Sequence, residues 1–401
     1  MSPRMAWRAL NRVASFVLLL LCIEFLDELV YGAREAAWPL IRADLGLSYV
    51  QIGLLLGVPN LVSNLIEPLL GILADVWRRR ALILGGGAIF ALSLLLMAAG
   101  QRFALLLVAL VLLAPASGAF VSLSQAALMD HAPTRHEQNM ARWTFAGAAG
   151  ALAGPLALSG LVLMGWGWRA LFALCASLAA LLVALAWRFP FPRPAHGSAP
   201  AGLRDALRHA LRALQRPSVL RWLVLLEFSD LMLDILLGYL ALYWVDVVGA
   251  TPATAGAAVA VWSGVGLLGD LALIPLLERV RGLTYLRWSV WAELLLYPLF
   301  LLMPAHWPKL ALLALLGLGN AGWYSILKAQ LYSAMPGQSG TALAVNNVSG
   351  LFGSLIPLAL GAVAQYYGLG ATMWLLWLGP IVLSLGLPRA SGSATGTASA
   401  E

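Results

Sequence analysis

Three carboxylates share one helical stripe inside an otherwise apolar stretch. Residues 22–31 read CIEFLDELVY. On a helix, Glu24, Asp27 and Glu28 lie on one face, and Tyr31 continues it. The apolar run around them begins at Val13. A charge at the centre of a bilayer costs about 2.5–3.5 kcal/mol on insertion scales. Such a stripe must therefore look at a wet cavity or at polar partners. The chain repeats the device. Residues 226–234 read LEFSDLMLD, so Glu24, Phe25 and Asp27 recur as Glu227, Phe228 and Asp230, each 203 positions later.

The same offset pairs Glu67 with Asp270 and Asp75 with Glu278, so eight of the 18 acidic residues form four pairs. Gly53 and Gly256, Ser122 and Ser325, Pro133 and Pro336, Gly147 and Gly350, and Gly150 and Gly353 obey it too. Matches among small apolar residues are cheap in so apolar a chain; matched acids are not. Two structurally similar halves of about six helices are expected, with a site between them near mid-membrane.

Of 401 residues, 61% are hydrophobic and 11% charged, against about 25% charged in soluble domains. Apolar stretches near 20 residues recur throughout, so the expected fold is an all-α polytopic membrane protein with twelve transmembrane helices. Spans are expected at 13–41, 48–72, 80–99, 103–130, 142–165 and 168–189, then 218–248, 252–277, 284–304, 308–334, 339–367 and 369–388. Residues 1–189 form one bundle, 190–217 a linker, 218–389 the second bundle and 390–401 a disordered tail. Ser48 with Gln51 makes a capping box, and Thr251 with Pro252 starts the eighth span.

Twelve spans put both ends of the chain on one side. Nineteen Lys/Arg residues fall on that side, and five (Arg34, Arg42, Arg102, Arg169 and Lys309) fall opposite. By the positive-inside rule both termini are cytoplasmic, in a plasma or inner membrane. Lys328 falls inside the tenth span. The net charge of +7 thus sets topology and implies no nucleic-acid partner. Arg4, Arg8 and Arg12 before the first apolar run imitate a signal peptide, but no small-residue cleavage site follows. Cys22 and Cys175 read as free thiols. In the linker, Leu203, Leu207, Leu211 and Leu214 oppose Arg204, Arg208, Arg212 and Arg216, which fits either an amphipathic helix on the inner leaflet or a solvated one.

The loop after the second span, GILADVWRRR, resembles the signature between helices two and three of the major facilitator superfamily. Gly71, Leu73, Ala74, Asp75, Arg79 and Arg80 stand where that pattern wants them; Val76 and Arg78 depart from it. The resemblance implies two pseudo-symmetric six-helix bundles and a cytoplasmic gate made by Asp75 with Arg79 and Arg80. The other reading makes the arginines topology signals only. In the fifth span, Gly150, Gly154 and Pro155 resemble the antiporter motif of the same superfamily, which implies efflux by exchange. Close packing by small residues explains them equally. An arginine common in helix four of the family's drug/proton antiporters is absent; Ala114 stands there. The run Ala37–Gly53 resembles fosmidomycin-resistance efflux proteins.

The family places helices one, four, seven and ten around its cavity. That assigns Glu24, Asp27, Glu28, Glu227, Asp230, Asp234 and Lys328 to proton coupling or substrate. Glu24 and Glu67 lie at similar depth from the same surface, so those two could meet, and Glu227 and Asp270 likewise. A fixed network with Lys328 is the structural alternative. Asn60 and Asn64 form a stripe with Glu67, and Asn346 and Asn347 stand apart. Glu293 reads as a packing residue. No phosphate-binding loop, clustered metal ligands or nucleophile–base pair occurs, so no enzyme and no cofactor is expected. The reading is a monomeric, proton-coupled exporter of a small organic molecule. A symporter or facilitator, or a non-transporting receptor with the same fold, are its rivals.

Overall fold

The computed structural model describes residues 3–76, 79–131, 136–191, 212, 214–335, 345 and 348–388. Within these, the side chains of 3–14, 68, 71–72, 74–76, 131 and 136–137 are not described. The amphipathic linker, Asn346, Asn347 and the tail lie almost entirely outside this set.

All regular structure among the described residues is helical. The first span is one helix, Pro3–Leu45. The second is Tyr49–Val76, the third Arg79–Ala99, the fifth His136–Leu163 and the sixth Trp168–Ala186. The fourth, Phe103–Asp130, carries a π-helical turn at Gly118–Ser122. In the second half the seventh span is split into Pro217–Asp230 and Asp234–Asp246. The eighth is Pro252–Leu277 and the ninth Gly282–Leu302. The tenth is split into His306–Gly319 and Trp323–Ser333. Val348–Tyr367 and Leu369–Gly386 complete the twelve.

Local chemistry explains the ends. Gln51 Oε1 accepts from the Ser48 amide at 2.9 Å while Ser48 Oγ accepts from the Gln51 amide at 3.2 Å, the reciprocal capping box. Thr251 Oγ1 accepts from the Thr254 amide at 3.2 Å. The repeat is also written in the backbone. Gly46 (φ 61) ends the first span and Gly249 (φ 75) the seventh; Gly165 (φ 80) ends the fifth and Gly368 (φ 85) the eleventh. Both pairs lie 203 apart. Each sits in the left-handed conformation that a residue without Cβ adopts freely.

Among the described residues the halves meet chiefly where the first span packs on the seventh and eighth, the fifth on the eighth, and the second on the eleventh. These contacts concentrate at the ends away from the chain termini. A Cβ on Gly53 would stand 2.6 Å from the Pro357 carbonyl, so the two backbones touch there. A polar clasp closes the same end. Arg42 pairs with Asp246 at 3.0 Å, Tyr49 donates to Asp246 at 2.8 Å, and the Arg42 guanidinium lies 4.2 Å over the Tyr49 ring. The Tyr49 amide adds a bond to Gln365 at 3.0 Å.

Candidate functional site

A cavity of about 350 Å³ lies between the halves. The first span contributes Tyr31, Arg34 and Glu35; the second Asn60, Ser63, Asn64 and Glu67; the seventh Glu227, Asp230, Asp234 and Tyr239; the tenth Tyr324; the eleventh Ser354 and Pro357. Its acids thus come from both halves. Of its lining residues, Arg34 is the one cation.

The first span sets Tyr31, Arg34, Glu35 and Trp38 at helical spacing on one face. Arg34 Nη2 donates to Glu35 Oε1 at 2.7 Å, and Trp38 Nε1 donates to Glu35 Oε2 at 2.8 Å. Glu35 is buried, and both its oxygens are satisfied. Tyr31 reaches across to the other half and donates to Asp234 Oδ1 at 3.3 Å. Arg34 counted toward the side opposite the termini, although it falls within the first span as read, 13–41. The helix runs to Leu45, and Arg34 lines the cavity. The signal available in sequence was its i+3 spacing from Tyr31, on the stripe that starts at Glu24.

The expected residues are distributed as follows. Glu67, Glu227, Asp230 and Asp234 line the cavity. Glu24, Asp27, Glu28, Asp270 and Lys328 do not. Glu24 is buried beside Gly147 and Trp143. Asp27 accepts from Ser117 Oγ at 2.8 Å, and Glu28 packs against Gly147 and Gly150. Glu24 does not meet Glu67. The second span packs on the fourth and eleventh rather than on the first, so Glu67 turns to Ser63 one turn back, at 2.7 Å, and to Gly118. Glu227 does not meet Asp270 either. Asp270 Oδ1 accepts from the Gly322 amide at 3.0 Å, at the break in the tenth span. Lys328 Nζ donates to Tyr324 at 2.6 Å, not to an acid.

Gly71 and Asp75 belong to the second-span helix, Tyr49–Val76, but their burial and side-chain contacts lie outside what the structure describes. Arg79 pairs with Asp130 of the same half, and Arg80 donates to the Trp187 carbonyl. Gly150, Gly154 and Pro155 pack on the first span: Gly150 on the Phe25 carbonyl, Gly154 on the Leu29 carbonyl, and Pro155 near Gly32. Glu293 is fully buried, and among the described residues neither carboxylate oxygen has a hydrogen-bond partner. Lys309, counted on the side opposite the termini, is buried at the start of the tenth span, where it donates to Tyr243 at 2.7 Å.

The sequence profile of the Major Facilitator Superfamily matches residues 20–357. The chain belongs to that superfamily. No curated protein sequence matches it. Its fold resembles a bacterial homologue of the human lysosomal transporter Spinster, crystallised inward-facing and unoccupied. The identity is 16%, the TM-score 0.75, and the match covers 94% of this chain and 96% of that one. The nucleoside transporter NupG is similarly related, at 16% identity and TM-score 0.76, covering 93% of this chain and 98% of NupG. At such identities the likeness shows the fold: two six-helix bundles of a multi-pass membrane transporter.

Proposed function

We propose that this superfamily member exports a small organic molecule by proton-coupled alternating access. One observation carries the reading: carboxylates from both halves face a single cavity whose end away from the termini is clasped shut. A cavity bounded by two similar bundles exchanges its open side when the bundles rock. Acids in a confined, partly dry site bind and release protons as its exposure changes. Glu67, Glu227, Asp230 and Asp234 then meet substrate or proton at the cavity wall. Glu24, Asp27, Glu28, Asp270 and Lys328 form the layer behind it.

Asp75, Arg79 and Arg80, following Gly71, work at the terminal side, where charge-assisted bonds form and break as the halves close and part. Gly150, Gly154 and Pro155 keep the fifth span tight on the first, which suits exchange. With both termini in the cytoplasm of a plasma or inner membrane, the conformation is inward-open. The transporter works as a monomer of two bundles joined through residues 190–217.

The test is transport in proteoliposomes, with and without a pH gradient, across cationic, neutral and anionic drugs. Accumulation that requires the gradient supports proton-coupled exchange. Equal flux without a gradient makes the protein a facilitator, and no flux for any class removes the transport reading.

A further inference from the structure

One buried acid stands outside the central cavity. Glu293, midway along the ninth span, has no exposed surface. Among the described residues it pairs with no cation and accepts from no donor. Its carboxylate presses on the tenth span where that helix breaks: a Cβ on Gly319 would stand 2.6 Å from Glu293 Oε1. Gly319 ends the half-helix His306–Gly319, so the negative end of a helix dipole meets a carboxylate. The next residue, Asn320, is 4% exposed. Its amide nitrogen is spent on the Met232 carbonyl, and its Oδ1 has no partner among the described residues. Oxygen thus faces this level from two spans with nothing positive between.

The donors around Glu293 are committed elsewhere. Ser289, one turn back, donates to the Leu286 carbonyl at 3.0 Å and accepts from Trp323 Nε1 at 2.8 Å. Tyr297, one turn on, donates to the Met373 carbonyl at 2.7 Å. Arg287 donates to the Pro388 carbonyl, and Lys328 to Tyr324. Lys309, held by Tyr243 and the Leu301 carbonyl, lies ten residues before Gly319, about 15 Å along the helix. The twelfth span, Leu369–Gly386, carries no titratable side chain. Asp270 of the eighth span holds the other side of the break, at the Gly322 amide. An ionised carboxylate so placed would be buried without compensation, which is far costlier than burying the neutral acid. A metal ion needs a shell of oxygens; a proton needs one acceptor.

We infer that Glu293 is a proton-binding site, separate from the cavity acids, whose exchangeable proton bonds Asn320 Oδ1. The bond ties the ninth span to the broken tenth and, through Met232, to the broken seventh. Phe90 stands at the matching place in the first half, so the site belongs to the second half alone. Tyr285, half-buried, lies within electrostatic range of both Glu293 and Asp270, and Asp270 is exposed. Tyr285 and Asp270 mark the proton's route to water. Proton binding stands on the packing; its release during transport rests on the proton-coupled reading.

The experiment is infrared difference spectroscopy on the full-length protein in nanodiscs, at acidic, neutral and alkaline pH. Subtracting Glu293→Gln from wild type should leave the carbonyl stretch of one protonated acid at neutral pH. Glu293→Asp should move that band, and it decides the matter if Glu293→Gln fails to fold. Asn320→Ala should shift the band to higher frequency, because the acid loses its acceptor. In heavy water the band should move down, more slowly in Tyr285→Phe.

No difference band, or a band that Asn320→Ala leaves in place, overturns the site. A band that disappears when sodium chloride is added at fixed pH makes the ligand a metal ion and overturns it too. Exchange at the wild-type rate in Tyr285→Phe removes the route. Gradient-driven accumulation in proteoliposomes is measured beside it, and Glu293→Gln should lower it about tenfold, a moderate coupling between sites. A band with unchanged accumulation counts against release during transport alone. Lost accumulation without a band counts against the proton site alone, and a band in a wild type that transports nothing counts against the transporter reading alone.

Discussion

Ser117 and Asn320 occupy the same place in the two halves, 203 positions apart, and they grip different things. Ser117 donates to the Asp27 carboxylate on an unbroken first span. Asn320 donates at 3.1 Å to the Met232 carbonyl on a broken seventh span. The break at 231–233 frees backbone groups that a continuous helix would satisfy. The tenth span breaks at the facing level, where Gly322 takes φ 73. One half thus uses this level to hold a side-chain charge, and the other to stitch together two interrupted helices. A repeat preserves geometry first, and the chemistry at each level diverges within it.

The largest test of this contrast is Asp27→Asn against Asp230→Asn. If the first half carries the proton, Asp27→Asn cuts gradient-driven accumulation about 100-fold, the upper end of coupling between sites, while counterflow without a gradient persists. Inverted vesicles measure both. Wild-type accumulation in Asp27→Asn, or the same defect in Asp230→Asn alone, moves the role to the other half.

Next is Gly154→Leu, because the counterpart of Gly154 is Pro357 and, among the described residues, the backbone-on-backbone fifth–first contact has no seventh–eleventh equivalent. Overpacking there should cost about 1–3 kcal/mol in thermal unfolding and stop cycling. An unchanged melting point with full flux would show that the contact is dispensable.

Asp75→Asn should slow turnover about tenfold, within the range of a coupling free energy, and leave substrate affinity intact. Glu278→Gln, its exposed counterpart, should do less. Affinity lost as fully as turnover places Asp75 in the site. The smallest effects come from the pair that opened the comparison. Asn320→Ala should destabilise by about 1–2 kcal/mol, since it strands a buried carbonyl, and Ser117→Ala by about 0.6 kcal/mol, a typical intramembrane hydrogen bond. Equal losses on chemical unfolding would erase the distinction between the halves.

The repeat, the helical class and the acid stripes were legible because matched acids in apolar helices are costly and therefore informative. Glu227, Asp230 and Asp234 reach the cavity as their stripe implies. The neighbours of each acid were not legible. Glu67 finds Ser63 on its own helix, and Asp270 finds an amide exposed by a helix break, and neither choice follows from depth alone. The breaks at 231–233 and 320–322 contain no proline and only one glycine, Gly322, so tertiary bonds rather than local propensity hold them. Arg34 and Lys309 fell inside the spans as read, but positive-inside counting assigns them only to a side and says nothing of which face of the helix they occupy; Arg34 lines the cavity and Lys309 is buried.

Consider last the contact of Gly53 and Gly57 with the eleventh span. With no side chains to interlock, backbone bears on backbone, and such a joint can act as a fulcrum. From Gly57 to the end of the second span at Val76 is a lever arm of roughly 28 Å at 1.5 Å per residue. A tilt of about 15°, the scale of known rigid-body rotations, would sweep its tip through roughly 7 Å. Side-chain-sized gates at the far end would then open by mechanical advantage, while the joint itself scarcely moves.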